Sequence, residues 1–224
     1  MMPKENLTRA RLKTPRAAAI AGMVFSVLMI IVFWVLRISL PTDPLETGEW
    51  LKTNATVVAL ALNLIPFAGI AFLWFIGVLR DRLGQLEDRF FATVFLGSSL
   101  LFLAMLFAAA AVVGAIILAF ATEPEAAINS ATFHFARTLA YNIMSIYVIK
   151  MAAVFMISTS TLAIFTEIAP RWIAFLGYAL SLLLLFGSSF FIWSFVAFPL
   201  WVFLISVYIL IEQLHWRVPT KNPE

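Results

Sequence analysis

Six long runs of apolar residues constrain the fold of this chain more than any other feature of its sequence. They cover residues 17–36, 55–79, 90–121, 138–165, 172–189 and 194–211. A helix needs about 20 residues to cross the hydrocarbon layer of a bilayer, so each run is near or above that length. Backbone groups inside a bilayer must be hydrogen-bonded within the segment, which predicts helices. We therefore expect an all-α integral membrane protein, a bundle of six transmembrane helices.

The division of the last two runs depends on length. Residues 172–211 contain no charged residue, and about 40 residues are too many for one span. Two spans joined by a tight turn fit this length. Gly187, Ser188 and Ser189 provide the natural place for the turn.

Composition limits what else the chain can contain. It is 63% hydrophobic and 12% charged, whereas a soluble domain has about a quarter charged residues. We expect a transmembrane domain over residues 17–212, between a basic tail at 1–16 and a short tail at 213–224. With no cysteine, the chain cannot form a disulfide, an iron–sulfur site or a thiolate zinc site.

The charges predict the orientation, because Lys and Arg accumulate in cytoplasmic segments. Basic residues mark the N-terminal tail, the connection at 80–89, Arg171 and the C-terminal tail, while the loops at 43–49 and 123–125 are acidic. Both termini are therefore expected in the cytoplasm. Because the basic residues lie at membrane edges, the net charge of +3 does not indicate a nucleic-acid partner.

Lys150 is the one charged residue deep inside a predicted span, and a charge there needs a partner or water. No carboxylate lies at its depth. Counting along the helices places Asn63, Tyr147 and Ser188 in the same layer, so we expect a ligand-binding cluster of these four residues. Carbonyl groups freed by prolines at positions 66 and 199 could add oxygen atoms to the cluster.

Other interpretations of these polar residues stay open. The lysine side chain could instead extend along its helix to the outer interface, and Asn63 could simply join two helices. The run Ser158–Thr161 could line an aqueous path, but we expect these side chains to hydrogen-bond to their own helix or to a neighbouring one. Gly97, Ser98 and Ser99 are expected to form a close helix contact.

The sequence offers no catalytic residue, metal site or cofactor. The two histidines, His134 and His215, fall on opposite sides of the predicted membrane, so they cannot share a metal ion. No carboxylate lies within a span, which removes the acidic proton relays of many pumps. We do not expect an enzyme.

The last third of the chain carries a further pattern. Its elements are 170–178 (PRWIAFLGY), 198–202 (FPLWV) and 206–208 (SVY). It resembles a pattern in small uncharacterised bacterial multi-pass membrane proteins. The resemblance implies a bacterial inner-membrane protein and brings no catalytic residues with it.

Two functions remain open. One is a small channel or transporter for an anionic solute, with its site around Lys150. The other is a non-catalytic assembly or accessory subunit that packs against partner membrane proteins. In either case the expected surroundings are the lipid bilayer and a homo-oligomer.

Overall fold

All regular structure among the described residues is helical in a computed structural model of the chain. The structure describes residues 14–40, 48, 50–83, 89–122, 124, 130–166, 169–187 and 194–215. The elements are α1 (Thr14–Ser39), α2 (Trp50–Leu83), α3 (Arg89–Thr122), α4 (Ala131–Asn142), a π-helical segment (Ile143–Val148), α5 (Ile149–Thr166), α6 (Arg171–Phe186) and α7 (Ser194–His215). The predicted helical bundle is confirmed. Most of each predicted tail, 1–13 and 216–224, lies outside the described residues.

Five helical rods are long and apolar enough to cross a membrane. They are Ala17–Ser39, Trp50–Arg80, Ala92–Thr122, Ala131–Thr166 and Ser194–Glu212. The fourth rod joins α4, the π segment and α5 without a break. The remaining rod, α6, lies between the fourth rod and α7. It is apolar but has only 16 residues, which corresponds to about 24 Å against the roughly 30 Å of bilayer hydrocarbon.

The last apolar stretch divides into two helices, as the sequence indicates. Helix α6 starts after Pro170, whose carbonyl oxygen accepts from the N–H of Ile173 at 3.0 Å. It ends at Phe186, and the N–H of Gly187 closes the last turn on the carbonyl of Leu183 at 2.7 Å. The next helix begins at Ser194. Ser188 and Ser189 lie outside the described residues.

The rods form a closed ring in chain order. α1 packs against α2, α2 against α3, and α3 against α4, the π segment and α5. α5 then packs against α6, α6 against α7, and α7 returns to α1. Neighbours along the sequence are therefore neighbours in space, as short connections favour.

Phenylalanine rings fill the centre of this ring of helices. Phe72 of α2 is the hub: its ring centroid lies 4.5 Å from that of Phe25, 5.4 Å from Phe102, 5.3 Å from Phe155 and 5.8 Å from Phe198. These five side chains, hereafter the phenylalanine core, come from α1, α2, α3, α5 and α7 and are almost completely buried. The core therefore ties five of the six rods together.

Candidate functional site

Lys150 lies in the first turn of α5, directly after the π segment. Its side chain is exposed on the outside of the bundle, and Nζ donates to the carbonyl oxygen of Leu185 at 3.4 Å. This hydrogen bond joins α5 to α6. It is the one side-chain hydrogen bond of Lys150 within the part of the chain that the structure describes.

The acceptor explains why a lysine occurs at this position. Leu185 lies in the last turn of α6, where carbonyl groups have no helical N–H partner. An unpaired carbonyl group is costly inside hydrocarbon, and the C-terminus of a helix carries partial negative charge. The ammonium of Lys150 therefore caps the end of the shortest rod.

The cap leaves donor capacity unused. At 3.4 Å the contact is longer than the 2.7–2.9 Å that is typical of strong charge-assisted hydrogen bonds. An ammonium has three N–H donors, and the described residues engage one of them. The ammonium therefore keeps N–H donors that have no partner among the described residues.

The other residues of the expected cluster are arranged differently. Tyr147 precedes Lys150 by three residues on the same rod, and its side chain is 54% exposed. Asn63 is exposed on α2, which is separated from α5 by α3 around the ring. No hydrogen bond among the described residues joins Lys150 to either of them. Ser188, the fourth predicted member, lies outside the described residues.

The freed carbonyl groups do not contact the lysine either. Pro66 and Pro199 both lie inside helices, and they leave the carbonyls of Leu62 and Phe195 without their usual partners. Lys150 instead uses the carbonyl of Leu185, at the terminus of α6. Sequence reasoning missed this acceptor, although Gly187 just after a short apolar run was a signal of a helix end.

Serine and threonine side chains of α5 bond mainly to their own helix, as expected. Ser158 donates to the carbonyl of Val154 at 2.9 Å, and Thr159 donates to that of Phe155 at 2.8 Å. Thr161 also forms a 2.6 Å hydrogen bond with the hydroxyl of Tyr178 on α6. Thr161 therefore links α5 to α6, while Ser158 and Thr159 are satisfied within α5.

Small residues bring the same two helices close together. A Cβ atom on Gly177 would overlap the Ser160 hydroxyl oxygen and would lie 2.8 Å from Nε1 of Trp201. That indole nitrogen donates to the carbonyl of Ile173 at 3.3 Å. Of the predicted contact at Gly97, Ser98 and Ser99, only the serines are buried; no described atom lies within 4 Å of where a Cβ on Gly97 would be.

The π segment is the second feature that sequence reasoning missed. Ala140 and Val148 are both buried, although they are eight residues apart. Two turns of α-helix contain about seven residues, so the wider π turn absorbs one extra residue and returns Val148 to the packed face. The segment ends two residues before Lys150 and thereby sets the direction of its side chain.

No protein-family model, curated protein or solved structure matches this chain.

Proposed function

We propose that the protein is a six-span protein of the bacterial inner membrane, with both termini in the cytoplasm, that acts as a non-catalytic assembly subunit for membrane proteins. The phenylalanine core is the observation that carries the proposal. A channel or transporter needs a polar path between its helices, whereas here the rings of Phe25, Phe72 and Phe102 pack at the centre. Such a centre favours a packing role.

Polar side chains on the outside of the bundle support the same role. Lys150 is exposed in the middle part of its rod, and Thr138 and Asn142 are exposed on α4. Lipid tails cannot hydrogen-bond such groups, whereas helices of a partner protein can. In an assembly subunit, these outward-facing side chains would hydrogen-bond to helices of the partner protein.

The proposed topology rests on the charges and on the length of α6. Basic residues flank the ends that we place in the cytoplasm. A helix of 16 residues is short for a span, but its exposed terminal carbonyl is capped by Lys150. The cap stabilises this end of α6 in the apolar region, and the sixth crossing itself is inferred from the charges.

Transport of a small anion is the second candidate, and the exposure of Lys150 favours it. The ammonium keeps donors free beyond its contact with Leu185, and a π-helical segment, a feature often found at functional sites, directly precedes α5. A path would then run along the outside of the α5–α6 pair. A partner or a second copy would have to close it.

Flux measurements in proteoliposomes separate the two candidates. We expect chloride and phosphate to cross vesicles that contain the protein no faster than vesicles without it, and Lys150→Met should change nothing. Flux that is present in the wild type, retained in Lys150→Arg and lost in Lys150→Met would overturn the assembly role and establish the anion site.

Purification provides the positive measurement. An assembly subunit extracted from its own membrane in a mild detergent should elute with another membrane protein at fixed stoichiometry. Native mass spectrometry would give that ratio. A wild-type protein that elutes without any other protein over a series of mild detergents would contradict the proposal.

A further inference from the structure

The outward face of α2 carries a regular row of exposed residues. They repeat every three and four residues along the helix and form the α2 seam: Thr53, Thr56, Leu60, Asn63, Phe67, Ile70, Trp74 and Gly77. Alternating steps of three and four give a seven-residue repeat, the spacing with which two helices pack side by side at a small left-handed angle. The seam thus has the geometry of a helix-pairing surface.

Asn63 lies at the centre of the α2 seam and in the middle of the Trp50–Arg80 span. Its side chain is exposed and makes no hydrogen bond to any described residue of the chain. An unpaired amide in hydrocarbon is unfavourable by a few kcal/mol, because lipid tails offer neither donor nor acceptor. We therefore expect this amide to hydrogen-bond to a group outside the chain.

The backbone beside Asn63 presents a second unsatisfied group. Pro66 has no N–H, so the carbonyl of Leu62 loses its usual acceptor role within the helix. The ring of Pro66 is itself exposed, which places that side of the helix toward the surroundings. Within one turn, α2 thus presents an amide and a free carbonyl at mid-membrane depth.

Gly77 makes close approach possible near one end of the seam. No described atom lies within 4 Å of where its Cβ would be; the same holds for Gly97 and Gly114 on α3, whereas Gly22, Gly69 and Gly177 meet side chains of this chain. This glycine therefore has no packing role inside the bundle. On an outward face, a missing side chain lets another helix approach closely.

We propose that the α2 seam binds the α2 seam of a second copy of this chain in a parallel two-fold dimer. All copies cross the membrane in one orientation, so a two-fold axis along the membrane normal brings each Asn63 to its counterpart at the same depth. A carboxamide is both donor and acceptor, so two Asn63 side chains satisfy each other. This inference is independent of the proposed assembly role.

Förster transfer between two labelled populations tests the dimer. Because the chain has no cysteine, one cysteine added at the C-terminus gives a single labelling position. Transfer in liposomes should exceed random proximity and fall as lipid is added. Asn63→Leu should raise the protein-to-lipid ratio at half-maximal transfer about threefold to thirtyfold, since membrane hydrogen bonds of this kind have that range of strength.

A matched pair of glycine variants keeps the test independent of folding. Gly77→Leu adds a side chain where the chain itself has space, so the protein should fold while the seam is blocked and transfer is lost. Gly97→Leu, on α3, is the control: no described atom lies within 4 Å of where its Cβ would be either, and this variant should leave transfer unchanged. Wild-type transfer no higher than random proximity, or equal transfer in Gly77→Leu and Gly97→Leu, would overturn the dimer.

Discussion

Two buried serine hydroxyls of this bundle face glycines on neighbouring helices. The oxygen of Ser160 lies where a side chain on Gly177 would be, and that of Ser206 lies where a side chain on Gly22 would be. Neither hydroxyl has a conventional hydrogen-bond partner among the described atoms. The close approach of the helices therefore depends on the missing side chains, and the C–H groups of glycine are weak donors to such oxygens.

Gly177→Ala should lower the free energy of unfolding by about 1–3 kcal/mol, the usual cost of overpacking. The added methyl group meets the indole of Trp201 as well as a hydroxyl, and the buried indole cannot rotate away. Unfolding titrations in mixed micelles would measure the change. Gly97→Ala is the control and should be neutral or slightly stabilising, because alanine favours helix and the site is open. Equal effects at the two glycines would contradict the packing account.

The position of a residue along its rod could be predicted from the sequence, but the direction of its side chain could not. Counting residues placed Lys150 and Asn63 in one layer, and both do lie in the middle parts of their rods. The face on which each side chain points depends on packing. Soluble helices reveal their packed face by alternating polar and apolar residues, whereas a membrane helix is apolar toward both lipid and protein. The helix end near Gly187 had a signal in the sequence, but the direction of the Lys150 side chain toward Leu185, 35 residues away, had none.

The rod from Ala131 to Thr166 shows how an element adjusts its own register. Phe133 and Ala140 of α4 are buried, and so are Val148 and Ala152 on the other side of the π turn. The sequence predicted a span over 138–165, and the rod Ala131–Thr166 covers all of these residues. The π turn was not predictable, because one inserted residue leaves the composition unchanged.

Deleting Ser145, inside the π segment, should be tolerated. Removal of the extra residue converts the π turn to ordinary α-helix and keeps Ala140 and Val148 on one face. The thermal midpoint of the purified protein should fall by less than about 5 °C, which for a chain of this length is a cost of about 1–2 kcal/mol. Circular dichroism during heating would measure it.

Deleting Val154, in the regular part of α5, is the matched control. There the loss of one residue rotates the two parts of the rod by about 100° and moves buried side chains such as Phe155 out of register with α4. This variant should unfold far earlier or fail to accumulate in the membrane. If the Ser145 deletion were as damaging as this one, the interpretation of the π segment as an inserted residue would be wrong.

The described helices form a closed ring of rods of unequal length. Helix α6 contributes no ring to the phenylalanine core and is the shortest rod, while its neighbour α5 belongs to a rod of 36 residues. The mismatch leaves the end of α6 beside the middle of a longer helix. Lys150 donates to the carbonyl of Leu185 at this end. The charged residue that the sequence places inside a span therefore caps the shortest of the described rods.

The crossing of α6 is the part of the proposed topology that decides between five spans and six. If α6 crosses, His215 at the end of α7 lies on the same side as Leu83 at the end of α2, and Ala131 at the start of α4 lies opposite. Single cysteines at these three positions would be free of background, because the chain has none. A membrane-impermeant maleimide added to intact spheroplasts should label Ala131→Cys at once, and should label Leu83→Cys and His215→Cys only after the membrane is permeabilised. Labelling of His215→Cys in intact spheroplasts would mean that α6 turns back within the membrane, with Lys150 capping a re-entrant helix and the C-terminus outside the cell.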